Sequence, residues 1–466
     1  MHHSRVMAGA MTLLLLSAPA SWGAAPQKAK AVPTAEPFEG VVIAEGLAAP
    51  WDMVWGPDNH IWVSEREGSR IISVDPKTGE KKLVGSIPDV KVGPQHEGVL
   101  GIALDPDLGK NGSKNNVYIA HTYMDGGREH ARIVRFHYDP QTRKIADPKV
   151  ILSNMPAGDD HNGGRLRFGP DGKLYYSIGE QGANVCKPID AQRIPTKAEL
   201  DADDHSAYAG KVLRLNPDGG IPDDNPVING VRSHVYTYGH RNPQGLVFVG
   251  DLLFEAEHGP SSDDEINLLV AGGNYGWPHV AGFRDDQGYV YGNWSAAPDC
   301  EKLAKSYFPT DIPASVPQQK ETEWKAEDFR EPIKTFYTVP NSYNFRDGRC
   351  GDMAYLCWPT IAPSSVAYYP ANGPIPGWGN SLLVTSLKNG ALYRIPLNAD
   401  GKTAQGDVAK YFHTPNRYRS ALVSPDGKTI YVATDVRGNA LGNDGKPVND
   451  MKNPGSIIAF IYDAKQ

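Results

Sequence analysis

The sequence predicts an all-β fold built from repeats: a six-bladed β-propeller of four-stranded antiparallel sheets carrying long functional loops. Three observations predict it. One turn-plus-strand pattern returns along the chain, β-branched and aromatic residues recur between glycine- and proline-rich turns, and helical periodicity is scarce. The 466 residues include 49 glycines and 38 prolines, with 22% charged residues and a formal net charge of −7. Such a composition suits a folded, loop-rich protein rather than a disordered one. Without long Lys/Arg blocks, the chain lacks the electrostatic footprint of a nucleic-acid binder.

Residues 1–24 read as a cleaved secretory leader. A short basic start, Met1 to Arg5, precedes an apolar run from Val6 to Ala20, and small residues follow through Ala24 and Ala25. The run is too short for a membrane anchor, and no later stretch is long and apolar enough for a membrane helix. The expectation is therefore export to an oxidising compartment, with residues 25–466 forming one domain, since no linker composition interrupts them. Four cysteines suit such a compartment.

The repeat begins after Leu47. WGPDNHIWVSE starts at Trp55, FGPDGKLYYSIGE at Phe168 and VSPDGKTIYVATD at Val423. Each carries Pro-Asp-Gly or Pro-Asp-Asn, a type I turn signal, ahead of a strand-like run. Weaker copies run from Ala103 to Ala120, from Val247 to Glu255 and from Trp378 to Thr385. About six copies of one unit are the mark of a propeller. Further strands are expected at Arg70 to Val74, Arg132 to His137 and Ala391 to Ile395, and a short helix at Thr196 to Ala202. Six units give about seventy residues each, beyond the ~40–45 of compact propeller repeats. The surplus falls in loops, the longest from Gly282 to Pro332, and loops of that length usually carry function.

Chemistry-bearing residues gather in a few of these loops. The stretch Ala157 to Gly182 places Asp159, Asp160, His161 and Asn162 on a glycine-punctuated loop beside a strand. A histidine next to an aspartate is often only solvated, but Gly163-Gly164-Arg165 lets backbone approach a ligand closely, so His161 is the candidate base. Gly239 to Gly245 packs an imidazole, a guanidinium and two amides into a rigid turn that needs only its Gly and Pro. Glu257 to Glu265 offers three consecutive carboxylates after Gly259-Pro260. Calcium is the natural guest there; a charged surface turn is the competing reading, and the spacing is not that of an EF-hand. Arg417 and Arg419, two apart on a strand, face one side and suit bidentate capture of carboxylates, with Lys388 able to join them. A solvated strand face is the alternative. Cys350 and Cys357 bracket six residues, which fits a local disulfide; metal binding would need a second Cys/His pair nearby. Tyr355 and Trp358 lie within and just after that loop, where core packing would be the default for Trp. Whether Cys186 pairs with Cys300 is open.

Together these motifs resemble the soluble, periplasmic PQQ-dependent glucose (aldose sugar) dehydrogenases, quinoproteins on a six-bladed propeller. The resemblance covers nearly all of the chain after the leader and runs through DDHNGGRL, YAGKVLRLNPDGGIPDDNP, YTYGHRNPQGL, GPSSDDEINLLVAGGNYGWP, CGDMAYLCWPTIAPSS and NRYR in the family's order. It implies oxidation of glucose and related aldoses at C1 to the lactone, electrons passed to a periplasmic acceptor, and a homodimer. It further implies that His161 takes the proton of the sugar's C1 hydroxyl while hydride leaves C1 for the C5 carbonyl carbon of the quinone. Asp160 would orient His161, and Arg241 would stabilise charge on the quinone oxygen. Asn242, Thr360, Lys388, Arg417 and Arg419 would hold PQQ. The carbonyls of Gly259 and Pro260 would ligate a calcium that also binds PQQ. Glu265, Tyr275, Asp285 and Glu321 would hold a second, structural calcium pair, and Tyr355 and Trp358 would wall the sugar. Two positions depart from the family. His96 stands where it has a sugar-touching glutamine, with Gln95 one place earlier, and His258 replaces a glutamine beside the calcium carbonyls. A non-catalytic binding propeller would not need the Asp160-His161, Arg241 and Arg417/Arg419 set intact. A calcium-dependent lactone hydrolase would not need the Arg-x-Arg clamp.

Overall fold

The computed structural model describes residues 30–32, 37–110, 114–182 and 186–463. The expected leader, 1–24, and its junction with the domain lie outside these residues.

Six antiparallel sheets follow one another along the chain. Their first strands are Pro50–Trp55, Val99–Leu104, Leu166–Phe168, Pro243–Val249, Pro363–Tyr369 and Tyr418–Val423. Each packs against the first strands of two neighbouring sheets, and the contacts close into a ring. The expected six-bladed propeller of four-stranded sheets is the observed one. Blade 6 is finished from the other end of the chain: Phe38–Ala44 pairs antiparallel with Ile457–Tyr462, Phe38 opposite Tyr462 and Val41 opposite Ala459. That pairing covers an edge an open sheet would leave exposed. Lys30–Val32 adds a fifth strand outside it.

Strands buried on both faces need apolar side chains in both directions, so they lose the usual alternation. Ile61–Glu65 and Leu174–Ile178 are buried at every position. Between blades the side chains interdigitate, as where Tyr118 and Ile133 of blade 2 meet Tyr176 and Leu213 of blade 3. All six copies of the repeat fall at one place, the turn from a blade's first strand to its second. There the turn aspartate caps the backbone: Asp171 Oδ1 accepts the N–H of Lys173, and Asp426 Oδ1 that of Lys428, each at 3.0 Å. The expected helix is Lys197–Asp201, opened by a capping box between Thr196 and Glu199.

Both disulfides form, Cys350–Cys357 across the short loop and Cys186–Cys300 across 114 residues. The second settles a pairing that the sequence left open and ties blade 3 to the Gly282–Pro332 excursion. Cys300→Ser is expected to cost about 2–4 kcal/mol, read as a lower melting temperature and a smaller further drop on reduction than the unaltered protein shows, since only Cys350–Cys357 is then left to reduce. Among the described residues no helix is long and apolar enough to cross a membrane.

Near the ring's axis Asp52 of blade 1 binds two arginines of blade 3. Arg165 pairs with it directly, and Arg167 donates to its two oxygens at 2.7 and 2.9 Å. Arg165 also donates to the carbonyls of Gln244 and Ser364, at 2.9 Å each, and so touches blades 4 and 5.

Candidate active site

In an antiparallel pair the first strand starts where the second ends. The segments leading into first strands and those leaving second strands therefore share one face of the propeller, opposite the Pro-Asp turns. His96, His161, Arg241, Asn242, Thr360 and Arg417 all lie just before a first strand, while Glu180, Gly259, Lys388 and Asp435 lie just after a second one. The fold gathers on one face residues more than 300 positions apart.

His161 has a left-handed backbone, φ 45°. Its carbonyl sits so close to Gly179 that a Cβ there would lie 2.0 Å from it. Its Nδ1 is 2.7 Å from Glu180 Oε1. With Glu180 as a carboxylate, Nδ1 carries the proton and Nε2 is left with a lone pair, the tautomer a base needs. Glu180 is itself placed by its N–H, which donates to the Arg241 carbonyl at 2.9 Å. The orienting partner of the imidazole is thus Glu180 rather than the expected Asp160. Asp160 instead accepts the main-chain N–H of His161 at 2.9 Å and stands 3.8 Å from Nε2.

His161, Glu180, Arg241, Pro260, Trp277 and Trp358 line one cavity of about 720 Å³. Arg241 is fixed by its N–H to Glu257 Oε2 at 2.7 Å and by its guanidinium over the Trp277 ring at 5.3 Å. Arg417 and Arg419 converge as expected, but onto Asp435: Arg419 donates to its oxygens at 2.8 and 2.9 Å and Arg417 at 3.2 Å. Arg66 and Arg437 stand close by, both paired with Glu67, so four guanidiniums face two carboxylates. Lys388 donates to the Trp358 carbonyl and to Thr360 Oγ1, the latter at 2.8 Å. Burial pulls its ammonium down to about 7 against the charge of Asp264. An added anion would restore it. Tyr355 does not line the cavity with Trp358. It is half exposed on the rim, where its hydroxyl accepts from Asn439, whose carbonyl in turn holds Arg417.

Several buried donors here have no protein partner: Arg241 Nε, Asn242 Nδ2 and Gln244 Nε2, with His258 Nε2 beside them. Unpaired buried donors beside uncompensated cations fit a polyanionic group such as PQQ.

The Gly259 and Pro260 carbonyls accept no hydrogen bond among the described residues, and Pro260 faces the cavity. Behind them, carboxylates crowd the loop 281–286. Glu265 accepts the N–H of Gly282 at 2.6 Å, and Glu321 those of Ala281 at 3.0 Å and Asp286 at 2.9 Å. Burial and the charge of Glu257 push Glu265 well above the carboxylate range. Burial, with Asp285 adding repulsion, pushes Glu321 up to about 8. The oxygens of this set are hard donors that fit calcium. Tyr275 could contribute only its carbonyl. Its hydroxyl already donates to Leu268 O at 2.7 Å and accepts from Val270 N at 3.0 Å.

Glu180, Asp435 and Glu257 were not singled out as site residues from sequence, yet a signal was present. The copies WGPDNHIWVSE, FGPDGKLYYSIGE and VSPDGKTIYVATD end in Glu65, Glu180 and Asp435, and the strand of blade 4 ends in Glu257. In blades 3, 4 and 6 that terminal acid grips a residue of the site.

The glucose/sorbosone dehydrogenase family model matches residues 47–328 and 344–443. Quinoprotein glucose dehydrogenase B of Acinetobacter calcoaceticus is 45% identical, with 98% of this chain and 97% of that protein covered. Aldose sugar dehydrogenase YliI of Escherichia coli is 32% identical over 84% of this chain and 89% of its own. A PQQ-bound aldose sugar dehydrogenase from Streptomyces coelicolor superposes with a TM-score of 0.60 at 27% identity, over 92% of this chain and 99% of that one. Ring, face and residues agree with these likenesses, and the chain belongs to the glucose/sorbosone dehydrogenase family.

Proposed function

We propose that this protein is a PQQ-dependent aldose 1-dehydrogenase of the periplasm. It oxidises glucose and related aldoses at C1 to the lactone and passes electrons to a periplasmic acceptor. The observation that carries this reading is the opening of His161 and Arg241 into one cavity, with the unpaired buried donors Arg241 Nε and Asn242 Nδ2 beside it. Export and a homodimer rest on the leader-like sequence and the resemblance.

When bound, PQQ supplies the two-electron acceptor for the sugar's C1 hydride. Asn242, Thr360, Lys388, Arg417 and Arg419 would hold it, and the cations answer its carboxylates. The carbonyls of Gly259 and Pro260 would ligate a calcium beside it. The chain's own contribution is proton handling and placement. His161 accepts the C1 hydroxyl proton on Nε2, and the Glu180 carboxylate at Nδ1 stabilises the imidazolium that results. Arg241 presents an unpaired N–H to charge that develops during transfer. Trp358 and Trp277 give the cavity apolar walls.

The deciding experiment adds PQQ, calcium and glucose, with an artificial electron acceptor, to chelated protein. Turnover that needs all three is expected. PQQ binding without turnover would leave a binding propeller, and lactone hydrolysis without PQQ would replace the dehydrogenase reading.

For the second metal set, Glu321 must lose its proton to act as a ligand. With its carboxyl pushed up to about 8, calcium affinity is expected to rise with pH through that value and to fall below it. Calorimetric calcium titrations on either side of pH 8 check this, and an affinity independent of pH would remove Glu321 from the set.

A further inference from the structure

His96 and Asp160 form a pair that the mechanism above does not use. His96 Nδ1 lies 2.9 Å from Asp160 Oδ1 and 3.0 Å from the main-chain nitrogen of His161, which itself donates to Asp160 Oδ1 at 2.9 Å. One nitrogen cannot donate to the carboxylate and accept from the amide at once. If Nδ1 were bare, its lone pair would face the carboxylate oxygen at contact distance. With a proton on Nδ1 both His96 and the amide donate to Oδ1, and neither donor is left without an acceptor. The rest of the segment is built to hold the ring there. Asn162 donates to the His96 carbonyl at 3.1 Å, Glu97 accepts the His96 N–H at 3.1 Å, and the ring stands edge-on to Trp51.

With Oδ1 taken twice, Asp160 has one oxygen left, Oδ2, and that oxygen is the one 3.8 Å from His161 Nε2. The distance is too long for a hydrogen bond, so Asp160 does not occupy the lone pair the base needs. It is short enough for the carboxylate to stabilise an imidazolium once the proton has moved. We propose that His96 is a positioning residue: its Nδ1–H clamps Asp160 at a distance where the carboxylate supports the charged form of His161 without blocking Nε2. This rests on His161 being the base.

The charged and titratable groups facing His96 are Asp160 and His161 from blade 3, Glu97 from its own segment, Arg419 from blade 6 and His258 from blade 4. Burial pushes the His96 imidazole down, with Arg419 and His161 adding to this and Asp160 opposing it. The ring is therefore the neutral donor. Burial works to raise Asp160, but the hydrogen bonds from His96 and from the main-chain N–H of His161 hold it far below the usual carboxylate range.

Two measurements test the clamp. Nitrogen-15 NMR of the histidine rings in the full-length protein, with neither PQQ nor sugar, should show His96 as the Nδ1–H tautomer near neutral pH, and Asp160→Ala should abolish that preference. An Nε2–H ring in the unaltered protein would overturn the proposal. In turnover, His96→Ala should lower kcat about tenfold, the loss expected for one hydrogen bond to a charged group, with KM nearly unchanged. His96→Gln, which can offer an N–H to the same oxygen, should restore it. The double variant His96→Ala/Asp160→Ala should be no slower than Asp160→Ala alone. A raised KM with kcat intact would make His96 a sugar contact only, and additive losses would separate it from Asp160; either result overturns the clamp. If the unaltered protein oxidised no sugar, the proposed function would fail, while the ring tautomer would still report on the pair.

Discussion

Replacing His161 with alanine is expected to lower sugar-driven turnover by about 10²–10⁴-fold, the share a positioned base contributes, while PQQ and calcium binding survive. The two effects separate because the groups come from different blades. The base hangs on the loop into blade 3, whereas the residues proposed for the cofactor lie beside or within strands of blades 4, 5 and 6. Rapid mixing of PQQ-loaded variant with glucose, followed by the cofactor's absorbance, measures the chemical step alone. A rate like that of the unaltered protein would remove His161 from the chemistry and with it the role of Glu180. Loss of PQQ binding instead would mean that the loop shapes the pocket and that the base lies elsewhere.

Asp52→Ala is expected to be the most damaging substitution outside the site, at about 3–5 kcal/mol, the range for breaking a buried ion pair on one side. Asp52 and Arg165 are both fully buried. Burial already pulls the Arg165 guanidinium down to about 10 despite its partner. Without Asp52, both arginines lose their shared anion, and Arg165 keeps only its carbonyl contacts to blades 4 and 5. The double variant Asp52→Ala/Arg165→Met should melt at a higher temperature than Asp52→Ala, because it removes the stranded charge as well as the bond. A double variant less stable than the single one would mean that the packing of Arg165 matters more than its charge.

The frame was legible because propeller blades repeat a local device. A turn aspartate that caps its own backbone, as Asp171 and Asp426 do, leaves a Pro-Asp-Gly mark in those copies, and the strand-like run after the turn marks the weaker ones. The chemistry was legible only in part. His161, Arg241, Arg417 and Arg419 stand out because a turn or a strand face has no need of them. Glu180 did not, since an acid at a strand end reads as a solvated cap, and its meeting with His161 depends on an antiparallel pairing rather than on spacing along the chain. The grip of Asp435 on both arginines was hidden for the same reason. The disulfide Cys186–Cys300 joins residues 114 apart, and two cysteines at that separation carry no local signature. The resemblance paired Tyr355 with Trp358 as a wall for the sugar, but Trp358 lines the cavity while Tyr355 is half exposed outside it.

Completion of blade 6 by Phe38–Ala44 has a thermodynamic corollary. Arg417 and Arg419 open the very sheet that this early strand must reach back to finish, so the cationic platform takes shape only when the first and last stretches of the polypeptide dock. An anion captured there binds the closed ring and not a chain with its ends apart, and by mass action it favours closure. Occupancy of the pocket and integrity of the seam are thus two readings of a single equilibrium.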